Sequence, residues 1–371
     1  MIPAMDLKRQ YGQIKKELAG AISRVFACSN YVLGEEVKSL EKEFAGYLGV
    51  KYAVGVNSGT DALFLALKAC GIDKNDEVIT CAFGYIASVL GISYCGAKPV
   101  LVDVNIRDFN IDVTKIEKAI TSRTKAILPV HLYGQMCDMI PLLRLAKRYN
   151  LKVIEDCAQA HGAKIRISNG KKWCMAGTMG DVGCYSFYPT KNLGAYGDGG
   201  MLVTNNKQTY QQLLLLRDYG RKDRYEFVLK GYNSRLDEFQ AAMLRVKLKH
   251  LDQWNKKRQQ AALLYHQGIK LDNLFLPLES LGRNHVYHLF VIRTPQRKKL
   301  QEYLRKQGIG TAIHYPIPIH LQEAYRDLRY KEGAFPIAEQ IAREVFSLPM
   351  FPELKSAEIK SVCQKLNCFK R

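Results

Sequence analysis

The sequence predicts an α/β protein with a large domain built on a mainly parallel sheet and a smaller C-terminal α+β domain. Between residues 52 and 204, short β-branched runs alternate with longer helical patterns, as in strands joined by crossover helices. A long helical pattern with few breakers then spans residues 236–269 and could link two domains. With 371 residues, 47% of them hydrophobic, the chain can form two cores. We therefore predict a large domain over residues 1–245, including an N-terminal helical segment, and a small domain over residues 246–371.

The elements of the large domain follow from periodicity. An amphipathic helix is predicted over residues 35–48, because Val37, Leu40, Phe44 and Leu48 form one apolar stripe. Two further helices, over residues 61–69 and 139–149, should cover the sheet. The strands of the large domain are predicted at residues 52–56, 77–80, 99–104, 126–131, 153–156, 182–187 and 200–204.

The small domain shows a similar mixture with less regular spacing. Two strands are predicted, at residues 285–293 and 310–315. Three helices are predicted, at residues 297–307, 338–346 and 356–366.

Composition limits the possible functions. Lys and Arg number 55 against 35 Asp and Glu, a formal net charge of +20 that suits either nucleic acid or an anionic substrate such as a nucleotide diphosphate. The ten cysteines form no C-x-x-C pair and no cluster at zinc spacing, so we expect reduced thiols, a cytoplasmic protein and no metal site. We expect no signal peptide, and the charge-free stretch 78–97 is interpreted as a buried strand, turn and helix rather than a membrane span.

A lysine in a glycine-rich turn is the first candidate for chemistry. Lys191 follows the strand that ends near Ser186 and precedes Gly194, Gly197, Gly199 and Gly200. A lysine held beside a rigid apolar site can have a lowered pKa and act as a Schiff-base nucleophile and proton shuttle. The alternative is an ordinary solvated surface lysine.

A carboxylate lies at the carboxyl end of another apolar strand, where open α/β sheets bind their ligands. Asp156 ends the run 153–156 and precedes Lys191 by 35 residues. Such a carboxylate can keep a pyridinium nitrogen protonated, as a pyridoxal phosphate (PLP) electron sink requires, or it can cap the following helix. Gln159 could hydrogen-bond a ring substituent or only a backbone group.

Two weaker signals follow the first two strands. Ser58, Gly59 and Thr60 open a helix, whose free N–H groups could bind a phosphate, although a structural N-cap uses the same residue types. Tyr85 opens the next predicted helix and could stack on an aromatic ring or belong to the core.

In this order, the motifs resemble those of the DegT/StrS family of PLP-dependent sugar aminotransferases, and the resemblance covers essentially the whole chain. This resemblance implies a PLP-dependent transferase of fold type I, like aspartate aminotransferase. The segments that carry it are MDLKRQY, YVLGEEV, VNSGTDAL, AKPVLVDV, TKAILPVHLYGQ, VIEDCAQAHGA, SFYPTKNLGAYGDGG, YNSRLDEFQAA and IHYPIPIHLQ.

The resemblance implies a role for each matching residue. Lys191 would be the catalytic lysine that binds the cofactor, Asp156 would pair with the pyridine nitrogen, and Gln159 would contact the ring region. Gly59, Thr60 and Ser186 would hold the phosphate, and Tyr85 would stack on the ring, although Ala82-Phe83-Gly84 departs from the Thr-rich segment usual before it. Asn233 would reach the phosphate of the neighbouring subunit, which makes a homodimer the smallest active unit.

The resemblance also implies a reaction. L-glutamate would convert PLP to pyridoxamine phosphate, which would aminate a nucleotide-linked 3-keto-6-deoxyhexose, most closely a dTDP-sugar. A lipopolysaccharide O-antigen is the expected destination, with a glycoprotein or a secondary metabolite as the alternatives. The sugar-site candidates are Tyr188, His314 and Tyr315, each of which could instead be structural. Retention of Lys191 favours aminotransfer, because dehydratases of the family have histidine there. The alternatives are a 4-keto-sugar or 3-keto-uronic-acid aminotransferase of the same fold, and a basic nucleic-acid-binding regulator with a vestigial PLP site.

Overall fold

The computed structural model of the protein describes residues 1–167 and 172–369. Its twelve strands comprise a seven-stranded central sheet, a three-stranded sheet and a two-stranded sheet. They are β1 (Tyr52–Val56), β2 (Glu77–Cys81), β3 (Lys98–Val102), β4 (Thr124–Leu128), β5 (Lys152–Asp156), β6 (Lys164–Ile167), β7 (Lys172–Met175), β8 (Val182–Ser186), β9 (Gly200–Thr204), β10 (Arg283–Asn284), β11 (Phe290–Arg293) and β12 (Val345–Leu348).

The central sheet has the order β1-β9-β8-β5-β4-β2-β3. Only β9 runs against the others, because it pairs antiparallel with both β1 and β8 while the remaining pairs are parallel. The carboxyl ends of β1, β2, β5 and β8 therefore meet at one edge of the sheet, as the sequence predicts. The mainly parallel α/β fold is confirmed.

Twelve α-helices surround these sheets in the described part of the chain. They are α1 (Leu7–Cys28), α2 (Glu35–Leu48), α3 (Gly59–Ala69), α4 (Ala87–Tyr94), α5 (Val113–Ile116), α6 (Met139–Arg148), α7 (Lys207–Arg217), α8 (Glu238–Leu248), α9 (Leu251–Gly268), α10 (Arg297–Lys306), α11 (Pro336–Glu344) and α12 (Ser356–Asn367). None of these helices combines the length and the hydrophobicity that crossing a bilayer requires.

The apolar side chains form three clusters. The largest surrounds the central sheet, a second lies between α9, α10, α12, β11 and β12, and a third joins α1 to α8 and Trp254. The second cluster is the core of the C-terminal part. The boundary proposed between residues 245 and 246 falls inside α8, and the division into domains stays a prediction.

The predicted helix over 236–269 is wrong as a single element. It divides at Lys249 and His250 into α8 and α9. The physical reason is that α8 packs against α1 and α2, whereas α9, beyond Trp254, packs mainly against α12.

Three predictions in the C-terminal part are also corrected. Of the predicted strand 285–293, only Phe290–Arg293 pairs with β12, and of the predicted strand 310–315, only Ala312 forms a bridge, to Ser347. The predicted helix 338–346 ends at Glu344, because the next four residues enter the sheet as β12.

Smaller differences arise where local chemistry overrides periodicity. The predicted strand 126–131 ends at Leu128, because Pro129 has no N–H group for the ladder. The hairpin of β6 and β7 and the helix α7 had no counterpart among the predicted elements. Tyr85 precedes α4 by two residues rather than opening it.

Candidate active site

A cavity of about 410 Å³ opens at the carboxyl ends of β1, β5 and β8. The residues that line it come from the N-terminal and the C-terminal parts of the chain and are separated by up to about 250 positions in the sequence. The predicted residues that line it are Gly59, Thr60, Tyr85, Asp156, Gln159, Ser186, Tyr188, Lys191, His314 and Tyr315.

Lys191 is held by a closed loop after β8. Its backbone N–H donates to the carbonyl of Tyr188 at 2.9 Å, and the N–H of Ala195 donates to the carbonyl of Phe187 at 2.7 Å. Glycine is required at position 194, because a Cβ there would lie 2.3 Å from the carbonyl oxygen of Pro189. These contacts fix the backbone from which Lys191 reaches the cavity.

Burial lowers the pKa of Lys191 to about 8, against the opposing effect of the nearby Asp156 carboxylate. A lowered pKa means that the neutral, nucleophilic amine is populated above about pH 8, well below the range where a free lysine becomes neutral.

We therefore expect the rate at which the PLP-free protein takes up PLP to rise as the pH increases through about 8. Stopped-flow absorbance between pH 6 and 10 would measure it. A midpoint above pH 10 would contradict the geometry, because it would indicate an ordinary solvated amine. The same measurement on Lys191→Ala, which lacks the amine, is the control.

Asp156 faces the cavity from the end of β5 and is 4% exposed. Its Oδ2 accepts a hydrogen bond from Oγ of Ser88 at 2.8 Å, and its Oδ1 accepts one from the N–H of Ala158 at 3.1 Å. Burial raises the pKa of this carboxyl, and Ser88, Ala158 and the charge of Lys191 oppose that effect. The helix-cap alternative is wrong, because β5 is followed by a turn and then by β6, and the bond from Ala158 belongs to that turn. The carboxyl group of Asp156 lines the cavity.

Gln159 links two sides of the cavity. Its Oε1 accepts the N–H of Tyr133 at 2.7 Å, and its Nε2 donates to the hydroxyl of Tyr315 at 3.0 Å. The hydroxyl of Tyr133 in turn donates to the carbonyl of His314. This chain of hydrogen bonds places His314 and Tyr315, which leave the predicted strand, against the large-domain residues.

An anion-binding corner lies where α3 begins. Ser58 caps this helix, since its Oγ accepts the N–H of Asp61 at 3.0 Å, while Gly59 and Thr60 face the cavity. Ser186 lies so close to Gly59 that a Cβ atom added at position 59 would be 2.4 Å from the Cβ of Ser186. A helix N-terminus beside a serine hydroxyl supplies the N–H donors and positive dipole end that a phosphate requires.

Aromatic side chains form the open side of the cavity. The ring of Tyr85 lies 5.6 Å from that of Tyr315, and Tyr85 is 56% exposed, so it does not belong to the core. Tyr188 is 53% exposed at the same opening. Nδ1 of His314 lies 2.8 Å from Oγ of Ser347. These groups could contact a ligand that enters from solvent.

Asn233 is the one predicted residue that does not line this cavity. It is exposed, next to Ser234, whose Oγ lies 3.4 Å from the N–H of Asn57. An exposed position outside the chain's own site is compatible with a contact to a second subunit.

In the described part of the chain, His131, Glu155 and Cys157 form a buried group of side chains of the types that bind metals. Glu155 accepts hydrogen bonds from Nε2 of His131 at 2.9 Å and from the N–H groups of Gly177, Met179 and Gly180. Since these bonds already use its carboxylate oxygens, the cluster fixes the loop between β7 and β8.

Sequence reasoning missed several residues of the cavity, among them Ser88, Thr190, Asp198 and His288. Ser88 lies in the charge-free stretch 78–97, where no pattern distinguishes it from a buried helix residue. Its role became visible only through the bond to Asp156.

The fold and this cavity define a lysine-dependent enzyme with an anion-binding corner. Comparison with known proteins agrees with this class: residues 12–367 match the DegT/DnrJ/EryC1/StrS aminotransferase family. The chain belongs to this family, and the predicted family, enzyme class and PLP dependence are confirmed.

Three relatives illustrate the similarity. A "dTDP-3-amino-3,6-dideoxy-alpha-D-galactopyranose transaminase" of Aneurinibacillus thermoaerophilus is 49% identical over 99% of both chains. A "Pleiotropic regulatory protein" of Geobacillus stearothermophilus is 47% identical over 100% of this chain and 99% of its own. The crystal structure of S. venezuelae DesV "in complex with ketimine intermediate" has a TM-score of 0.95 and 44% identity over 99% of this chain and 97% of that one.

The residues present fit PLP. The anion-binding corner at Gly59, Thr60 and Ser186 suits its phosphate, and the buried carboxylate of Asp156 suits a protonated ring nitrogen. Lys191, with its lowered pKa, suits the aldehyde carbon.

Proposed function

We propose that the protein transfers the amino group of L-glutamate to the keto carbon of a nucleotide-linked 3-keto-6-deoxyhexose, with a dTDP-sugar as the substrate. The observation that carries this proposal is the single cavity that joins Lys191, Asp156 and the anion-binding corner to Tyr188, His314 and Tyr315. The Aneurinibacillus relative, whose name specifies a 3-amino-3,6-dideoxy sugar linked to dTDP, supports the choice of sugar.

Each residue has a defined task in this proposal. When bound, PLP withdraws electrons from the carbon that carries the amino group. Lys191 would remove the proton from that carbon and return it to the carbon on the other side of the amino nitrogen, which the partly neutral amine permits. Asp156 would hold the ring nitrogen protonated, and Gly59, Thr60 and Ser186 would hold the phosphate.

The substrate residues face the open side. Tyr188, His314 and Tyr315 offer hydroxyl and imidazole groups to the hydroxyls of a sugar. The surplus positive charge of +20 would raise the local concentration of a nucleotide diphosphate.

The experiment that tests the proposal is the reverse reaction, because amino sugars are more stable than their keto precursors. Purified enzyme with PLP, 2-oxoglutarate and dTDP-3-amino-3,6-dideoxyhexose should form L-glutamate, which a coupled assay detects. In the forward direction, NMR of the product should place the amino group at C3. An amino group at C4, or turnover only with a 3-keto uronic acid, would establish the alternative aminotransferases instead.

We also propose that the active unit is a homodimer in which Asn233 of the partner subunit contacts the cofactor phosphate. The exposed apolar side chains of the neighbouring loop support an interface, since Tyr225 is 79% and Phe227 58% exposed. Complementation between two inactive variants tests this arrangement without a structure.

Mixing Lys191→Ala with Asn233→Ala subunits, after denaturation and refolding together, should restore activity to about a quarter of the wild-type level. Half of the dimers are then hybrids, and each hybrid has one site with both residues intact. Neither variant refolded alone should reach this activity. Absence of recovery in a mixture shown to contain hybrids would mean that Asn233 acts within its own subunit or not at all.

A regulator that binds nucleic acid is the competing function, favoured by the +20 charge and by the name of the Geobacillus relative. Several arginines between residues 207 and 258, where basic residues are frequent, are paired, however: Arg217 with Glu41, Arg235 with Asp218, and Arg245 with Glu36. Binding of DNA at near-physiological salt by protein that neither holds PLP nor reacts with L-glutamate would favour the regulator.

We propose the cytoplasm as the location and a lipopolysaccharide O-antigen as the destination of the amino sugar. Ten cysteines without a disulfide support a reducing compartment. Nucleotide-linked amino sugars are activated precursors, which supports transfer of the product to a glycan.

A further inference from the structure

Two hydrogen bonds fix the orientation of the Gln159 side chain. Gln159 is 4% exposed and follows the end of β5 by three residues. Its amide accepts the backbone N–H of Tyr133 at 2.7 Å. A backbone N–H can only donate, so the Gln159 atom that faces it is Oε1. The atom that faces the hydroxyl of Tyr315, at 3.0 Å, is therefore Nε2.

Tyr133, which supplies that N–H, is held by its own contacts. Its side chain is buried, and its hydroxyl donates to the carbonyl of His314. The N–H of the preceding residue, Leu132, donates to Oδ1 of Asn110 at 2.9 Å. A φ of 58° is uncommon for a buried aromatic residue and persists only where the surroundings determine it. The donor that orients Gln159 is therefore fixed by the fold.

The direction of the hydrogen bond between Gln159 and Tyr315 follows from this orientation. An amide nitrogen can only donate, so Oη of Tyr315 accepts. The hydroxyl keeps its own proton, because burial raises the pKa of Tyr315 above its ordinary value. Within residues 1–167 and 172–369, no acceptor for that proton lies within hydrogen-bond distance. Since Tyr315 lines the cavity, its O–H group can donate to a ligand there.

We propose that Gln159 orients the hydroxyl of Tyr315 so that this hydroxyl donates a hydrogen bond to an oxygen atom in the sugar part of the substrate. This inference rests on the proposed function, because it concerns the nucleotide-linked sugar named there. Gln159 is a positioning residue in this scheme, since it acts on the sugar through Tyr315. The second N–H of its amide stays available for the contact to the cofactor ring that its motif implies.

The sugar is the ligand that suits this donor. The hydroxyl, keto and ring oxygens of a sugar all accept hydrogen bonds, and a neutral phenol donates to each of them. Tyr315 lies on the open side of the cavity, where its ring is 5.6 Å from that of the exposed Tyr85. A group that enters from solvent therefore meets Tyr315 at this side.

Four variants test the inference. Gln159→Met removes the amide and keeps the length of the side chain, and Tyr315→Phe removes the hydroxyl alone. The combined variant completes a double-mutant cycle. Gln135→Met is the matched control, because Gln135 is also buried, accepts the N–H of Ser280 at 2.7 Å and donates to the carbonyl of Leu278 at 2.9 Å, but does not line the cavity.

Circular dichroism checks that each variant is folded. If Gln159→Met is not, Gln159→Glu takes its place, because a carboxylate still accepts the N–H of Tyr133 but has no N–H to donate to Tyr315. The same results are then expected.

The first measurement is the affinity of the pyridoxamine phosphate form for dTDP-3-amino-3,6-dideoxyhexose, determined by calorimetry. This form cannot react with an amino sugar, so binding is measured without turnover. We expect Tyr315→Phe to weaken binding about tenfold and Gln159→Met about fivefold, the range of one neutral hydrogen bond. The combined variant should lose no more than Tyr315→Phe alone, because Gln159 acts through the missing hydroxyl. Gln135→Met should bind like the wild type.

The second measurement determines the direction of the bond without a sugar. Tyr315 is replaced by 3,5-difluorotyrosine, a more acidic phenol, and titrated by fluorine NMR in the holoenzyme. Gln159→Met should raise the pKa at position 315, since the ionised phenol loses a donor. A hydroxyl that donated to Gln159 would show the opposite shift. Asp156 and Tyr85, the titratable neighbours that also raise this pKa, are the same in both proteins.

Three results would overturn the inference and leave the aminotransferase function intact. They are additive losses in the combined variant, a fall in the pKa at position 315 in Gln159→Met, and weaker PLP retention with unchanged sugar affinity. If the wild-type enzyme failed to bind the amino sugar while Gln159→Met raised the pKa at position 315, the direction of the bond would be supported and the proposed substrate would be wrong.

Discussion

Replacing Lys191 with alanine should abolish aminotransfer, lowering kcat by more than about 10⁴-fold. Lys191 is the amine that the closed loop after β8 presents to the cavity, and its lowered pKa makes it both nucleophile and proton carrier. The variant should also lose the visible absorbance of lysine-bound PLP, while retaining its fold because the removed side chain faces the cavity. Steady-state kinetics and absorbance spectra of the purified protein measure both effects.

Lys298→Ala is the matched control, because Lys298 is exposed on α10, away from the cavity. It should have wild-type kinetics. Normal turnover by Lys191→Ala would refute the assignment of the catalytic lysine. If circular dichroism showed that the variant is unfolded, Lys191→Met, which preserves the apolar stem, would repeat the test.

The second large effect is expected from Asp156→Asn, which should lower kcat by about 10³-fold. Asparagine has nearly the same shape: its amide oxygen can accept the bond from the N–H of Ala158, and its amide nitrogen can donate to the hydroxyl of Ser88. It has no negative charge, however, and cannot hold a neighbouring ring nitrogen protonated. The lost charge should also weaken PLP retention, which dialysis followed by absorbance measures.

The Ser88→Ala variant separates the effect of the charge of Asp156 on kcat from the effect of its orientation. It removes one hydrogen bond to the carboxylate at 2.8 Å and leaves the charge, so kcat should fall only about fivefold. Equal losses in Asp156→Asn and Ser88→Ala would indicate that Asp156 contributes orientation rather than charge.

The order of motifs along the chain predicted much of the site. Gly59 follows an apolar strand, Asp156 and Ser186 lie at the carboxyl ends of two others, and Lys191 follows Ser186 closely. Because parallel strands end at one edge, such residues must converge once the sheet forms. Ten of the eleven predicted site residues line one cavity, and the exception, Asn233, is the residue assigned to the neighbouring subunit.

The C-terminal part was harder to predict for a physical reason. His285–Arg293 reads as a strand, but its first half is fastened by side chains of α9 and by the backbone of Gly134, not by a neighbouring strand. A segment held by hydrogen bonds from helix side chains does not need the alternation of apolar and polar residues from which strands are predicted. The same holds for His314 and Tyr315, which Tyr133 and Gln159 draw away from the sheet.

The sequence by itself determined the class of fold, the family and the types of residue available for PLP chemistry, because these depend on local periodicity and on short motifs. Only the tertiary structure decided which groups support those residues. Ser88 and Asp156 are 68 positions apart, and Gln159 and Tyr315 are 156 positions apart. Hydrogen bonds between such distant residues depend on how the strands and helices pack, and no local pattern encodes them.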